Sequence, residues 1–218
     1  MHHANINNEV TILDEISDRY IFLSEKQTKL LMDYMRNGID NSLGNYLSQT
    51  GLISTDPGVR LSNSSSPPQG VGLLTWSSNA NKNAPPARLL YIAEAIFRLS
   101  MVRKRLQTGG LHGCLNNCRH KLSRKYTSTY SPTRKKFIAE TLSQSIKKAA
   151  PFLPGKVRCL EFSLTLFDML VYRNIKPALF IGFQRYDFLS HAWIEIDNNV
   201  ISDEESLRTK LTPIISVI

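Results

Sequence analysis

The stretch KVRCLEFSLTLFDMLVYR (residues 156–173), followed by PALFIGF (177–183) and HAWIEIDNNVISD (191–203), decides how this chain folds. Leu160, Leu164, Phe167, Leu170 and Val171 recur at helical spacing, so this segment reads as a helix with a buried face. Pro177 to Phe183 is a near-continuous apolar run, the pattern of a buried strand, although Gly182 weakens it. His191 to Asp197 alternates, with Ala192, Ile194 and Ile196 on one face and His191, Trp193 and Glu195 on the other. A turn at Asp197-Asn198-Asn199 leads into Val200-Ile201-Ser202-Asp203. A helix running into an antiparallel hairpin gives an α+β fold class.

The same stretch carries the candidate chemistry. Cys159 stands at the first turn of the helix, where unpaired backbone N–H groups and the positive end of the dipole favour thiolate over thiol. Arg158 adds a nearby cation. Free cysteine is also among the most buried residue types, so position alone is compatible with simple packing. His191 begins one strand and Asp203 ends the partner strand. Counting along the hairpin tests whether they meet. With a two-residue loop at Asn198-Asn199, Asp203 falls opposite Ile194, on the wrong face. With a three-residue loop, 197–199, it falls opposite Trp193 and diagonal to His191, at about 7–8 Å between backbones. The three-residue loop is therefore expected, closed by an Asn in the left-handed region. Trp193 either shields the His191–Asp203 bond or is plain core, the latter slightly favoured. Cys, His and Asp in this order match nucleophile, base and orienter of a thiol peptidase.

Outward from this region, a basic segment comes before it. Residues 86–150 hold 14 Lys/Arg against 2 Asp/Glu, so the net charge of +9 belongs to one zone. A solvated helical face and a partner-binding surface are equally compatible with it. Within it, Ala87 to Leu106 reads as an amphipathic helix. Its expected apolar face is Leu89, Leu90, Ile92, Ala93, Ile96, Phe97, Leu99 and Met101, with Arg103-Lys104-Arg105 in the last turn. Residues 134–150 form another helix, stopped by Pro151. His112, Cys114, Cys118 and His120 form a compact cluster, but their spacing is not a usual zinc signature and no metal is expected.

Residues 55–85 are rich in Ser, Asn, Pro and Gly and read as a linker, in which Val71, Leu73, Leu74 and Trp76 allow a short docking strand. Residues 1–54 read as a β-hairpin (Val10–Leu13 and Tyr20–Leu23) followed by a helix capped by Ser24 and stopped at Asn37-Gly38. A second short helix contains Leu43, Tyr46 and Leu47 and closes near Gly51. A 42% hydrophobic composition permits a sizeable core. No 18-residue apolar run or N-terminal signal segment is present, and the three cysteines are too few for a disulfide framework. A cytoplasmic protein with no transmembrane segment is the expectation.

The strings 158–166, 175–183, 191–197 and 200–203, taken together, resemble the leader peptidase (B protein) of lasso-peptide biosynthesis, over roughly 86–218. The resemblance implies a transglutaminase-like, papain-related peptidase domain at 86–218. It assigns Cys159 as nucleophile, His191 as general base and Asp203 as orienter. The basic helical zone resembles the helices that precede the cysteine in that family. Residues 1–54 resemble its PqqD-like, winged-helix-type precursor-recognition element, through Leu23-Ser24-Glu25, Leu30-Leu31 and Gly38. By analogy the leader would add a strand at 20–24 beside helix 25–36, touching Tyr20, Ile21, Phe22, Leu23, Leu30 and Tyr34. The implied partners are a lasso precursor's leader peptide and an ATP-dependent asparagine-synthetase-like cyclase. The triad chemistry requires no cofactor, and any ATP dependence would enter through the cyclase. Two other functions share these features. One is acyl transfer of the transglutaminase type. The other is a basic nucleic-acid-binding protein, disfavoured because few aromatics interleave the basic residues.

Overall fold

The computed structural model describes residues 2–53, 62–63, 85–127, 129–201 and 203–218. The chain divides into two units, Met1–Pro68 and Gln69–Ile218, with the division inside the stretch read as a linker. The strand expected around Val71 to Trp76 lies outside the described residues.

In the first unit, β1 (His2–Ile6), β2 (Glu9–Asp14) and β3 (Arg19–Phe22) form an antiparallel meander. The β2–β3 hairpin is the one read from sequence, whereas β1 was missed. Its composition, rich in His and Asn, is poor strand material by propensity. It forms because Ala4 and Ile6 alternate inward and are buried. Asn7 and Asn8 also supply the two positive-φ positions of a tight hairpin. Helix α1 (Glu25–Asn37) starts at Ser24, whose hydroxyl accepts from Gln27 N while Gln27 Oε1 accepts from Ser24 N. It ends at Gly38, φ 64°. Helix α2 (Ser42–Gln49) follows. Val10, Ile12, Leu23, Leu31 and Leu47 bury together as the core of this unit. Strand β4 (Ser62–Asn63) pairs parallel with β1, giving sheet order β3-β2-β1-β4, so part of the stretch read as linker is a strand.

The second unit opens with α3 (Leu89–Leu122), whose first arm, as far as residue 109, is close to the helix expected over 87–106, while its second arm was not read from sequence. A break at Gly110 (φ 60°, ψ −164°) separates two helical arms, so Arg103-Lys104-Arg105 lie one to two turns before the end of the first arm. The buried stripe is Ala95, Leu99 and Val102, while Leu89, Leu90, Phe97 and Met101 are exposed. The run is apolar on more than one side, so periodicity alone could not choose the packed face. Helix α4 (Pro132–Ala149) begins at Ser131, with Pro132 in its first turn. Helix α5 (Cys159–Tyr172) packs against α3, α4 and the second sheet. Every residue from Ser163 to Leu170 is buried, as a helix covered on several sides requires.

Three sets of ion pairs fasten α3 along α5. Arg103 pairs with Glu161 (3.2 Å), Glu94 with Arg173 (2.6 Å), and Asp168 with both Arg105 (2.7 Å) and Lys121 (2.6 Å). Arg105 and Lys121 come from opposite sides of the Gly110 break, so buried Asp168 clamps the two arms. Part of the basic zone's charge is thus neutralised inside the fold and does not form an open cationic stripe. The second sheet is antiparallel, ordered β7-β6-β5-β8, from β5 (Ala178–Gln184), β6 (Leu189–Ile196), β7 (Asn199–Ile201) and β8 (Thr212–Val217), with a short helix α6 (Leu207–Lys210) before β8. No helix of the described residues is long and apolar enough to cross a membrane.

Candidate active site

Arg158 is extended and α5 begins at Cys159, so the sulfur stands at the helix N-terminus. Glu161 in the same turn accepts from Arg158 N (3.1 Å) and is paired with Arg103, so its charge is satisfied away from the thiol. Burial raises the Cys159 thiol, its largest single influence. The hydrogen bond and charge of His191, with backbone groups of Ala192 and Leu160, outweigh that, and the thiol titrates below its ordinary range. Cys114 and Cys118 show the contrast. Both are buried and burial pushes both thiols up, Cys118 to about 12.

His191 lies on β6 and hydrogen-bonds Asp203 through Nε2 at 2.6 Å. With Nε2 so engaged, Nδ1 is the ring nitrogen left to face Cys159. Burial lowers the imidazolium's pKa, but Asp203 and Cys159 raise it further, and it stands at about 9. A depressed thiol beside a raised imidazole is the electrostatic signature of a thiolate–imidazolium pair. Asp203 is held at both oxygens: Oδ2 accepts from His191, and Oδ1 accepts from Glu204 N at 3.0 Å.

The His–Asp contact forms, but not by the expected loop. Ile194 pairs with Ile201 and Ile196 with Asn199, so only Asp197 and Asn198 form the turn, both at positive φ. In that register the pleat would carry Asp203 to the face opposite His191. Among the described residues β6–β7 pairing runs as far as Ile201, and Asp203 lies outside β7, with its carboxylate 2.6 Å from the imidazole.

Trp193 both shields and packs. It is 1% exposed, stacks on His191 (centroids 6.4 Å) and on Phe180 (5.6 Å), and donates from Nε1 to Glu195 Oε1 at 2.9 Å. Glu195, equally buried, is held by Arg208 through both oxygens. Gly182, paired with His191 across the sheet, has a reason to be glycine: a Cβ there would lie 2.8 Å from the Trp193 ring.

Sequence reasoning missed two residues. Ser163, one turn beyond Cys159, donates to the Ala192 carbonyl at 2.8 Å and ties the nucleophile's helix to the histidine's strand. Its i+4 spacing from Cys159 was a readable signal. Lys147 of α4 lines the cavity of about 350 Å³ that Cys159, His191 and Asp203 share with Val157, Phe162, Leu166 and Ile201. No local pattern marked it.

Of the residues expected to contact a leader, Leu23 is 3% exposed and belongs to the core, so its side chain is not a surface contact. Phe22 and Leu30 are exposed, while Tyr20, Ile21 and Tyr34 are half-buried. Tyr20 and Phe22 stack at 6.2 Å, Ile21 packs on the core, and Tyr34 lies against Gly44. Cys114 and Cys118 point inward, His112 and His120 face solvent, and the four do not converge.

Comparison with known proteins bears on the same region. The family model described as the transglutaminase-like superfamily matches residues 102–216, which include Cys159, His191 and Asp203. The microcin J25-processing protein McjB of Escherichia coli is 39% identical over 62 residues. That match covers 28% of this chain and only 30% of McjB. No solved structure matches the chain significantly.

Proposed function

The chain belongs to the transglutaminase-like superfamily, and on that premise we propose that it is a cysteine peptidase that removes the leader from a ribosomally made lasso precursor. The observation that carries this reading is the 2.6 Å His191–Asp203 bond beside a thiol depressed at a helix N-terminus. The similarity to a microcin-processing protein supports the substrate class.

In the proposed reaction the Cys159 thiolate attacks the scissile carbonyl. His191, already protonated and held by Asp203, gives its proton to the leaving amine. A thioester to Cys159 remains. Neutral His191 then takes a proton from water, whose oxygen displaces the thiolate and releases the leader's carboxylate. The Cys159 backbone N–H is the candidate oxyanion donor. The released core would pass to an ATP-dependent cyclase in the cytoplasm. The first unit would act as a PqqD-like element that anchors the leader along β3 and α1, raising its effective concentration at Cys159. Tyr20, Phe22 and Leu30 would supply side-chain contacts.

The test is incubation of purified protein with the full-length precursor encoded beside its gene, with products weighed by mass spectrometry. Hydrolysis after the leader's last residue, abolished in Cys159→Ala, is the expected result. Amine-linked products would mark an acyltransferase instead. Undiminished cleavage by Cys159→Ala would sink the proposal.

A further inference from the structure

The last turn of α4 carries two lysines with different surroundings. Lys148 is exposed, while Lys147 is half-buried and lines the cavity shared by Cys159 and His191. Either lysine complements the helix dipole, so that role does not explain why one of them faces the cavity. Among the described residues, Lys147 makes no hydrogen bond or ion pair. The carboxylate lining the cavity, Asp203, bonds His191 and Glu204 N, and no hydrogen bond joins it to Lys147. Burial lowers the lysine's pKa and Asp203 only partly offsets it, as for a cation short of a partner. If Cys159 and His191 form an ion pair that neutralises itself, Lys147 and Arg158 leave an excess of positive charge over Asp203 around this cavity.

We propose that Lys147 is a specificity-determining residue whose ammonium receives a side-chain carboxylate of the peptide bound across Cys159. The inference rests on the peptidase reading and deepens it by naming the substrate chemistry. An acidic side chain would sit by Lys147, and an apolar one against Val157, Phe162 and Ile201. Bringing a carboxylate to a half-buried ammonium restores the partner that burial removes.

The probe is a pair of alkylating reagents of matched size, anionic iodoacetate and neutral iodoacetamide, applied to the purified full chain near neutral pH. Labelling at Cys159 is followed by mass spectrometry. Cys114 and Cys118 are buried with raised thiols and are not expected to compete. The quantity read is the iodoacetate-to-iodoacetamide rate ratio, so a general loss of thiol reactivity cancels. The ratio should fall roughly three- to fivefold in Lys147→Met and in Lys147→Gln, and return in Lys147→Arg. Raising the salt should narrow the difference between wild type and Lys147→Met. An unchanged ratio in both neutral variants, with the precursor still cleaved, overturns the role of Lys147 alone. Failure of either reagent to label Cys159 in the wild-type protein overturns this inference together with the peptidase reading.

Discussion

Replacing Asp203 by Asn should lower the pH at which His191 loses its proton. In the folded protein the imidazole is raised from its ordinary 6.5 to about 9. At about 1.4 kcal/mol per pH unit, that difference is roughly 3 kcal/mol favouring the imidazolium. Burial opposes the charged form, so Asp203 and the Cys159 thiolate supply the whole rise and offset burial as well. An amide keeps the shape and the hydrogen bond but removes the charge. The titration of His191 should then move from about 9 toward 6.5, and further if burial prevails. The direct assay is an NMR titration of the protein labelled at the histidine ring carbon, with His191 identified by its absence in His191→Gln. In parallel, the alkaline limb of kcat/KM should move to lower pH in the variant, because the proton donor for the leaving amine is lost sooner. A raised folded-state pKa contributes stability that is full below 6.5 and disappears as the pH passes about 9. Wild-type unfolding free energy should therefore fall across that window more than the variant's. A His191 midpoint that stays near 9 in Asp203→Asn would refute the assignment of Asp203 as the group that holds the charge.

Gly182→Ala should cost about 1–3 kcal/mol in urea unfolding, because the new Cβ meets the Trp193 ring, and should slow cleavage by displacing the ring stacked on His191. Arg208→Ala leaves the buried Glu195 carboxylate without its cation, keeping only the Trp193 Nε1 hydrogen bond, and should cost about 3–5 kcal/mol. Replacing Glu195 as well with an apolar residue of similar size should recover much of that loss, which a double-mutant cycle will read. Ser24→Ala removes the acceptor at the start of α1 and should cost about 1 kcal/mol, seen as faster amide exchange in α1 and not in α5.

Much of this molecule is written in short-range patterns. Ser24, Gln27 and Gly38 bound α1 because capping groups lie within one turn of the backbone they satisfy. The Cys159 helix and the strands around His191 follow from the 3.6- and two-residue periods. Patterns failed where several solutions share one sequence. The β6–β7 turn closes on two residues and not three, because both Asp197 and Asn198 tolerate positive φ and nothing local chooses the register. Helix α3 has apolar residues on several faces, so only packing selected Ala95, Leu99 and Val102 over Leu89, Leu90 and Phe97. Strand β1 was hidden because its inward positions, Ala4 and Ile6, are diluted by polar neighbours.

By itself the sequence determined which residues could do the chemistry and which elements present them, since residue type and near-neighbour spacing act along the chain. The tertiary structure decided what those residues meet. Asp203, outside β7, meets His191, Ser163 fixes α5 to β6, and α4 delivers Lys147 to the cavity. These arrangements bring together residues 12 to 56 positions apart, from the bonded His191 and Asp203 to Lys147 and Asp203, which line one cavity. At such separations the packing of whole helices and strands, not local propensity, sets the distance between side chains.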